Sequence, residues 1–223
     1  MREHPILFHP HNVQSILAGL KTQTRRVMRP LRHPRWTGYT LTPDYTAIEC
    51  GPDYPDDELD CVRCSFGVPG DRLWVREPWR MRGYSDGHAS YTYRADFPDD
   101  NPAQRWPWSN SMFMPREASR VELEITELRI QQVQEISEED AKAEGVEWHE
   151  GLRAWRSYDL VSQTPFLAKT AVESYRTMWD FINGKKYPWS ANPWVWCISF
   201  KVVKVYESPK TVPATVGDLR PSA

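Results

Sequence analysis

The 223-residue chain lacks the features that mark several large protein classes. It has no apolar run near 18 residues, and its mean hydropathy is −0.66, which excludes a membrane-spanning helix. Neither charge sign dominates, with 28 basic against 30 acidic side chains. No global field therefore draws it onto nucleic acid, and any such site must be a local patch. Four cysteines are too few for a disulfide scaffold. The opening "MREHPILFHP" has no signal-peptide h-region, which predicts a cytoplasmic protein whose cysteines are thiols or metal ligands. Neither a P-loop, a Rossmann glycine fingerprint, G-x-S-x-G nor H-E-x-x-H occurs, which argues against nucleotide-driven enzymes, common serine hydrolases and zinc proteases. Glycine is scarce, 11 residues against 19 prolines, and implies stiff, irregular connections. Eleven tryptophans stand out.

The length suits one elaborated domain with a real core. "PILF" (5–8) reads as a buried strand and "HNVQSILAG" (11–19) as a short helix, with Asn12 as cap and Gly19 at its left-handed stop. A strand follows, ending near Val27 and Met28. Residues 29–70 and 81–113 read as loop, broken by "VPGD" and a strand over 73–77. In "SRVELEITELRI" (119–130) Val121, Leu123 and Ile125 alternate with polar residues, which predicts a strand with one buried face. "SEEDAKAEG" (137–145) reads as a helix capped by Ser137 and stopped at Gly145. "TAVESYRTMWDFING" (170–184) reads as an amphipathic helix striped by Val172, Tyr175, Trp179 and Ile182. "NPWVWCISFKVV" (192–203) reads as a final strand with Trp194, Trp196, Ile198, Phe200 and Val202 on one face. The expected fold is α+β: a small mixed β-barrel, helices packed at its ends, with long insertions near 29–66 and 84–113. It is one domain over 1–206, and 207–223 form a polar tail.

The stretch "AGLKTQTRR" (18–26) crowds an amine, two hydroxyls and two guanidiniums into six residues. A threonine hydroxyl becomes nucleophilic when a base takes its proton, and a partly neutral lysine is such a base. Burial and the charges of Arg25 and Arg26 would depress Lys21 toward that state. Positions three apart point to opposite faces of a regular strand, so joint action of Lys21 and Thr24 requires a bulge or turn between them. By spacing alone the same residues are better read as a polar strand start, with Thr22 and Thr24 there for their β-propensity. Glu77 shares the Leu73–Val75 face, where a buried acid needs a partner: Lys21, an arginine, or a purely structural ion pair. Arg116 and Arg120 flank Ser119 at a strand entry, a place suited to phosphate or carboxylate contacts or simply to solvent. Trp74, Trp79, Trp194 and Trp196 lie near these charges and fit either base stacking or core. Cys50, Cys61 and Cys64 give half a zinc site, which His33, His88 or Cys197 would have to complete.

Six segments in order, "ILAGLKTQTRR", "GDRLWVREPW", "MPREASRVELEIT", "ISEEDAKAEGV", "MWDFING" and "NPWVWCISF", together resemble the ASCH (activating signal cointegrator homology) domain, in its larger phage- and prophage-associated branch. The resemblance touches most of residues 5–205. It implies a PUA-like barrel with a cleft suited to RNA or nucleosides. Small bacterial members of the family are amidohydrolases of N4-acetylcytidine, with a lysine and threonine in K-x-x-T and a glutamate on a later strand. These positions fall on Lys21, Thr24 and Glu77, with Arg26 a further basic position. "LWVREPW" and the long insertions depart from those small enzymes and leave the substrate open.

The expectation is therefore a metal-free, cofactor-free amidohydrolase acting on N4-acylated cytidine or a related modified base. Lys21, Thr24 and Glu77 are its catalytic set, and Arg25, Arg26, Trp79, Arg116 and Ser119 its substrate contacts. The alternative is a non-catalytic RNA-binding module, and a weaker third reading makes the cysteine loop a zinc knuckle. No membrane partner is expected.

Overall fold

The structure is a computed structural model and describes residues 1–29, 37–50, 61–85, 88–97, 107–158 and 168–206. The expected tail at 207–223 and His33 lie outside these residues. Strand β1 (Glu3–Leu7) leads into helix α1 (Pro10–Leu17). The helix starts earlier than the expected Asn12 cap, because Pro10, with its φ already helical, suits the first turn and His9 becomes the cap. Gly19, at φ +73°, takes the left-handed stop as expected. Strand β2 (Gln23–Val27) follows.

The stretch expected to be irregular instead folds in part. Strands β3 (Gly38–Leu41), β4 (Thr46–Cys50) and β5 (Cys61–Arg63) make an antiparallel three-stranded sheet. After β6 (Arg72–Arg76), strands β7 (Trp79–Ser85) and β8 (His88–Tyr93) make a hairpin. These segments are too short, or too mixed, to show a period of two. Strand β9 (Val121–Gln132), helix α2 (Glu138–Ala143), the two-residue strands β10 (Trp148–His149) and β11 (Ala154–Trp155), helix α3 (Ala171–Asn183) and strand β12 (Trp194–Val205) complete the chain. Among the described residues, no helix is long and apolar enough to cross a membrane.

The central sheet runs β1-β6-β9-β12-β2, with β1 parallel to β6 and the other ladders antiparallel. Among the described residues no ladder joins its edges β1 and β2, so backbone pairing does not close the expected barrel. The sheet nonetheless curls far enough for one side chain to span the gap: Arg26 Nη2, on β2, donates to the Leu7 carbonyl of β1 at 2.7 Å.

Alternation along β12 builds two cores. Trp196, Ile198 and Phe200 join Ile6, Val13, Ile16, Leu73, Leu123 and Tyr39 on one side. Val195 and Cys197 join Ala141, Tyr175, Met178 and Trp179 of α2 and α3 on the other. Each large apolar side chain so buried contributes about 1.5–3 kcal/mol. The buried stripe of α3 runs through Ala171, Tyr175, Met178 and Trp179, while Ile182 is exposed, so the helix is rotated slightly from its expected stripe. Thr170 caps α3 through the Glu173 N–H, and Ser137 caps α2 through the Asp140 N–H.

Candidate functional site

The site grows from the short link between α1 and β2. The N–H groups of Leu20 and Lys21 both donate to the Ser15 carbonyl, clipping the link to the end of α1. Lys21 then bridges Glu144, and Thr22 donates its N–H to Ala143 while its carbonyl accepts from Phe200. Those opposed bonds mean that the chain turns at Thr22. This is the break from regular strand geometry that joint action of Lys21 and Thr24 requires.

Lys21 is 2% exposed. Its Nζ donates to Glu144 Oε2 at 2.6 Å and to the Glu144 carbonyl at 2.8 Å. Burial pushes its amine below the ordinary lysine range, with Arg26 and Arg25 adding to the shift and Glu144 opposing it. Gly145 makes this approach possible. It sits at φ +84°, and a Cβ there would lie 2.9 Å from the Lys21 Cβ and 3.1 Å from the Ser15 Cβ. The second oxygen of Glu144 accepts from Arg25 Nη1 at 3.1 Å. Arg25 also donates to Gln23 Oε1 at 2.6 Å and to Asp140 Oδ2 at 2.8 Å, and Arg129 closes the far side of Asp140.

Thr24 and Arg26 lie opposite Ile198 and Trp196 on β12 and share their face. Thr24 is buried, and Arg26 lies 5.0 Å from the Phe8 ring and 5.8 Å from that of Phe66. Arg26 Nε is buried without a hydrogen-bond partner. Lys21, Thr24, Arg25, Arg26 and Glu144 line one cavity of about 90 Å³, between His9 and Asn12 near the start of α1 and Tyr175 and Trp179 of α3. The cavity lies along the open edge of β2. Met28 N–H bonds to Trp194 and Thr22 C=O to Phe200, so by alternation Thr24 and Arg26 bond toward β12. Gln23, Arg25 and Val27 therefore turn their N–H and C=O groups outward. Two guanidiniums and the depressed Lys21 amine around Glu144, beside a strand edge that no ladder covers among the described residues, favour a carbonyl or anionic ligand group.

The other expected residues sit elsewhere. Glu77 is buried but does not meet Lys21: its two oxygens accept from Arg120 Nε at 2.8 Å and Nη2 at 3.0 Å. Burial raises the Glu77 carboxyl above its ordinary range, with Arg120 opposing. Arg120 also donates to Asp96 and lies 4.1 Å from the Tyr93 ring centroid. The carboxylate beside Lys21 is thus Glu144, which the sequence reading left unassigned. Its signal was an acid directly before the helix-stopping glycine in "DAKAEG", indistinguishable there from its acidic neighbours.

Trp79 packs edge-on against Tyr91 at 5.7 Å in a small third core, and Arg116 is held by Glu3 and Glu122. Ser119 Oγ donates to the Val75 carbonyl at 2.8 Å. None of the three lines the cavity. Trp196 is core, Trp194 meets Tyr39 edge-on, and Trp74 lies beneath Arg76. Cys50 and Cys61 lie on β4 and β5, and Cys64 is buried with its thiol pushed up to about 11. Cys197 belongs to the second core, its thiol pushed up to about 12 by burial. Among the described residues no three His, Cys, Asp or Glu side chains gather as metal ligands.

No protein-family model matches the chain, and no curated protein does. A solved structure, that of protein EF3133 from Enterococcus faecalis V583, described as family-model DUF984, aligns with 92% of this chain and 83% of its own. The identity is 14% and the TM-score 0.39. Similarity at that level carries no argument about this chain.

Proposed function

We propose that the protein is an ASCH-type, PUA-like amidohydrolase that removes the acyl group from an N4-acylated cytosine nucleoside or a related modified base. The observation that carries this reading is the shared cavity: a buried, pKa-depressed Lys21 and a buried Thr24 on the open edge of β2. Neutral Lys21 takes the proton of Thr24, and the hydroxyl oxygen attacks the acyl carbon. The outward N–H of Arg25 and the guanidinium of Arg26 stabilise the oxyanion. Collapse breaks the C–N bond, and the amine leaves with the proton returned by Lys21. Water then hydrolyses the acyl ester on Thr24, releasing the free acid. Glu144, rather than Glu77, orients Lys21. A cavity of about 90 Å³ is well below the roughly 300–1,000 Å³ that encloses a drug-sized ligand, so it admits an acyl group and a base edge while the sugar stays outside.

Purified protein incubated with N4-acetylcytidine should release cytidine, followed by chromatography. Lys21→Ala and Thr24→Ala should each lower the rate of the folded protein by at least about a hundredfold. Thr24→Ala should melt close to the parent, whereas Lys21→Ala should melt lower, because it removes the amine that Glu144 is buried against. Because the depressed amine acts in its neutral form, the rate should rise with pH through a value below the ordinary lysine range and then level off. Release that persists in Lys21→Ala, or no release by the parent, rejects the reading.

A second reading, a non-catalytic RNA-binding module, draws on the excess of positive charge around the cavity. It requires RNA affinity that falls steeply with salt and survives Thr24→Ala.

A further inference from the structure

Tyr175 of α3 belongs both to the second core and to the lining of the Lys21 cavity. It is 3% exposed. Its ring is held by Trp179, at 6.3 Å between centroids, and by Trp189, at 6.1 Å with the planes 72° apart. Trp179 is fixed in turn by its indole N–H, which donates to the Tyr187 carbonyl at 2.8 Å. A hydroxyl carried on a ring packed in this way is preorganised. Buried tyrosine hydroxyls usually find a partner, yet that of Tyr175 makes no hydrogen bond among the described residues. The groups around it explain why. The Arg25 guanidinium lies 5.7 Å from the ring centroid, and the charges of Arg25 and Arg26 both act on the phenol. A guanidinium has no acceptor to offer. Glu144 acts on the phenol too, but its two oxygens already accept from Lys21 and Arg25. Burial, aided by Glu144 and opposed by Arg25 and Arg26, holds the Tyr175 hydroxyl well above the ordinary tyrosine range. It keeps its proton and can act only as a donor. Such a donor gives the fold nothing, and it faces the cavity that holds Lys21 and Thr24.

We propose that the Tyr175 hydroxyl is a further catalytic group of this site, donating a hydrogen bond to the carbonyl oxygen of the acyl group and following that oxygen as it becomes the oxyanion. The inference rests on the proposed function for the reaction. It adds no proton transfer: the hydroxyl keeps its hydrogen while the C=O double bond opens and re-forms. It also makes the acyl group, rather than the base, the part of the substrate that α3 recognises.

The test is Tyr175→Phe, which keeps the ring and removes the hydroxyl. The variant should melt at or above the parent temperature, because the group it loses has no partner in the fold. With N4-acetylcytidine its kcat should fall about a hundredfold, the cost of one oxyanion donor, while KM rises only about fivefold, the worth of one ground-state hydrogen bond. Titration calorimetry in the Thr24→Ala background reads binding without turnover. There Tyr175→Phe should weaken N4-acetylcytidine about fivefold and leave cytidine, which lacks the acyl carbonyl, unchanged. An unchanged kcat overturns the proposal. So does a lowered melting temperature, since the hydroxyl then serves the fold. Cytidine weakened as much as N4-acetylcytidine overturns it as well, because the hydroxyl then reads the base. A parent that binds N4-acetylcytidine through this hydroxyl without hydrolysing it keeps the contact and rejects the chemistry. A parent that neither binds nor hydrolyses it overturns both.

Discussion

Two buried carboxylates hold two different cations. Glu144 holds the amine at the cavity, and Glu77 holds a guanidinium outside the cavity lining. Removing one partner of a buried ion pair strands the other charge, which costs about 3–5 kcal/mol. Glu77→Ala should therefore lower chemical-denaturation stability by about 3 kcal/mol while its folded fraction keeps its deacylation rate. A folded but inactive variant would return Glu77 to the catalytic set. At this scale the sequence was legible where residues are neighbours: Lys21, Thr24, Arg25 and Arg26 lie within six positions and converge. Glu144 is 123 positions from Lys21, and nothing in one sequence pairs residues at such a distance.

Elements meet at Gly145. The end of α2 and the start of β2 approach so closely there that no side chain fits between them. Gly145→Ala would combine an unfavourable left-handed backbone, about 1–2 kcal/mol, with a Cβ pressed against Lys21. The expected result is a loss of at least about 2 kcal/mol, measured by urea unfolding, and a disproportionate fall in turnover as Lys21 shifts. Equal stability of parent and variant would mean that the contact relaxes freely. Strands β9 and β12 were legible because a long strand with one dry face repeats every two residues. β3, β4 and β5 were not, since four residues such as "GYTL" carry too few periods to read. The start of α1 was misplaced because Asn12 is a good cap in isolation, whereas Pro10 fits the first turn better.

Across the whole molecule, β12 gives alternate residues to two cores. Neither core keeps its wall if that strand leaves, so the two should melt together. Far-ultraviolet and near-ultraviolet circular dichroism should report coincident thermal transitions, and separated midpoints would show that the cores unfold independently. The mixed α+β class was legible from the order of patterns along the chain. Closure of the sheet was not, because it depends on whether two edge strands 16 or more residues apart find each other's backbones, and side-chain patterns do not encode that meeting. The narrow contact among Lys21, Glu144 and Gly145 also has a consequence for descent. A lineage that replaces Lys21 leaves Glu144 held by Arg25 alone among the cations described beside it, while position 145, at φ +84° and against the Cβ atoms of residues 21 and 15, still calls for glycine. Lys21 and Glu144 should be inherited and lost together, with glycine kept at 145 either way, a signature that can be sought in any future set of relatives.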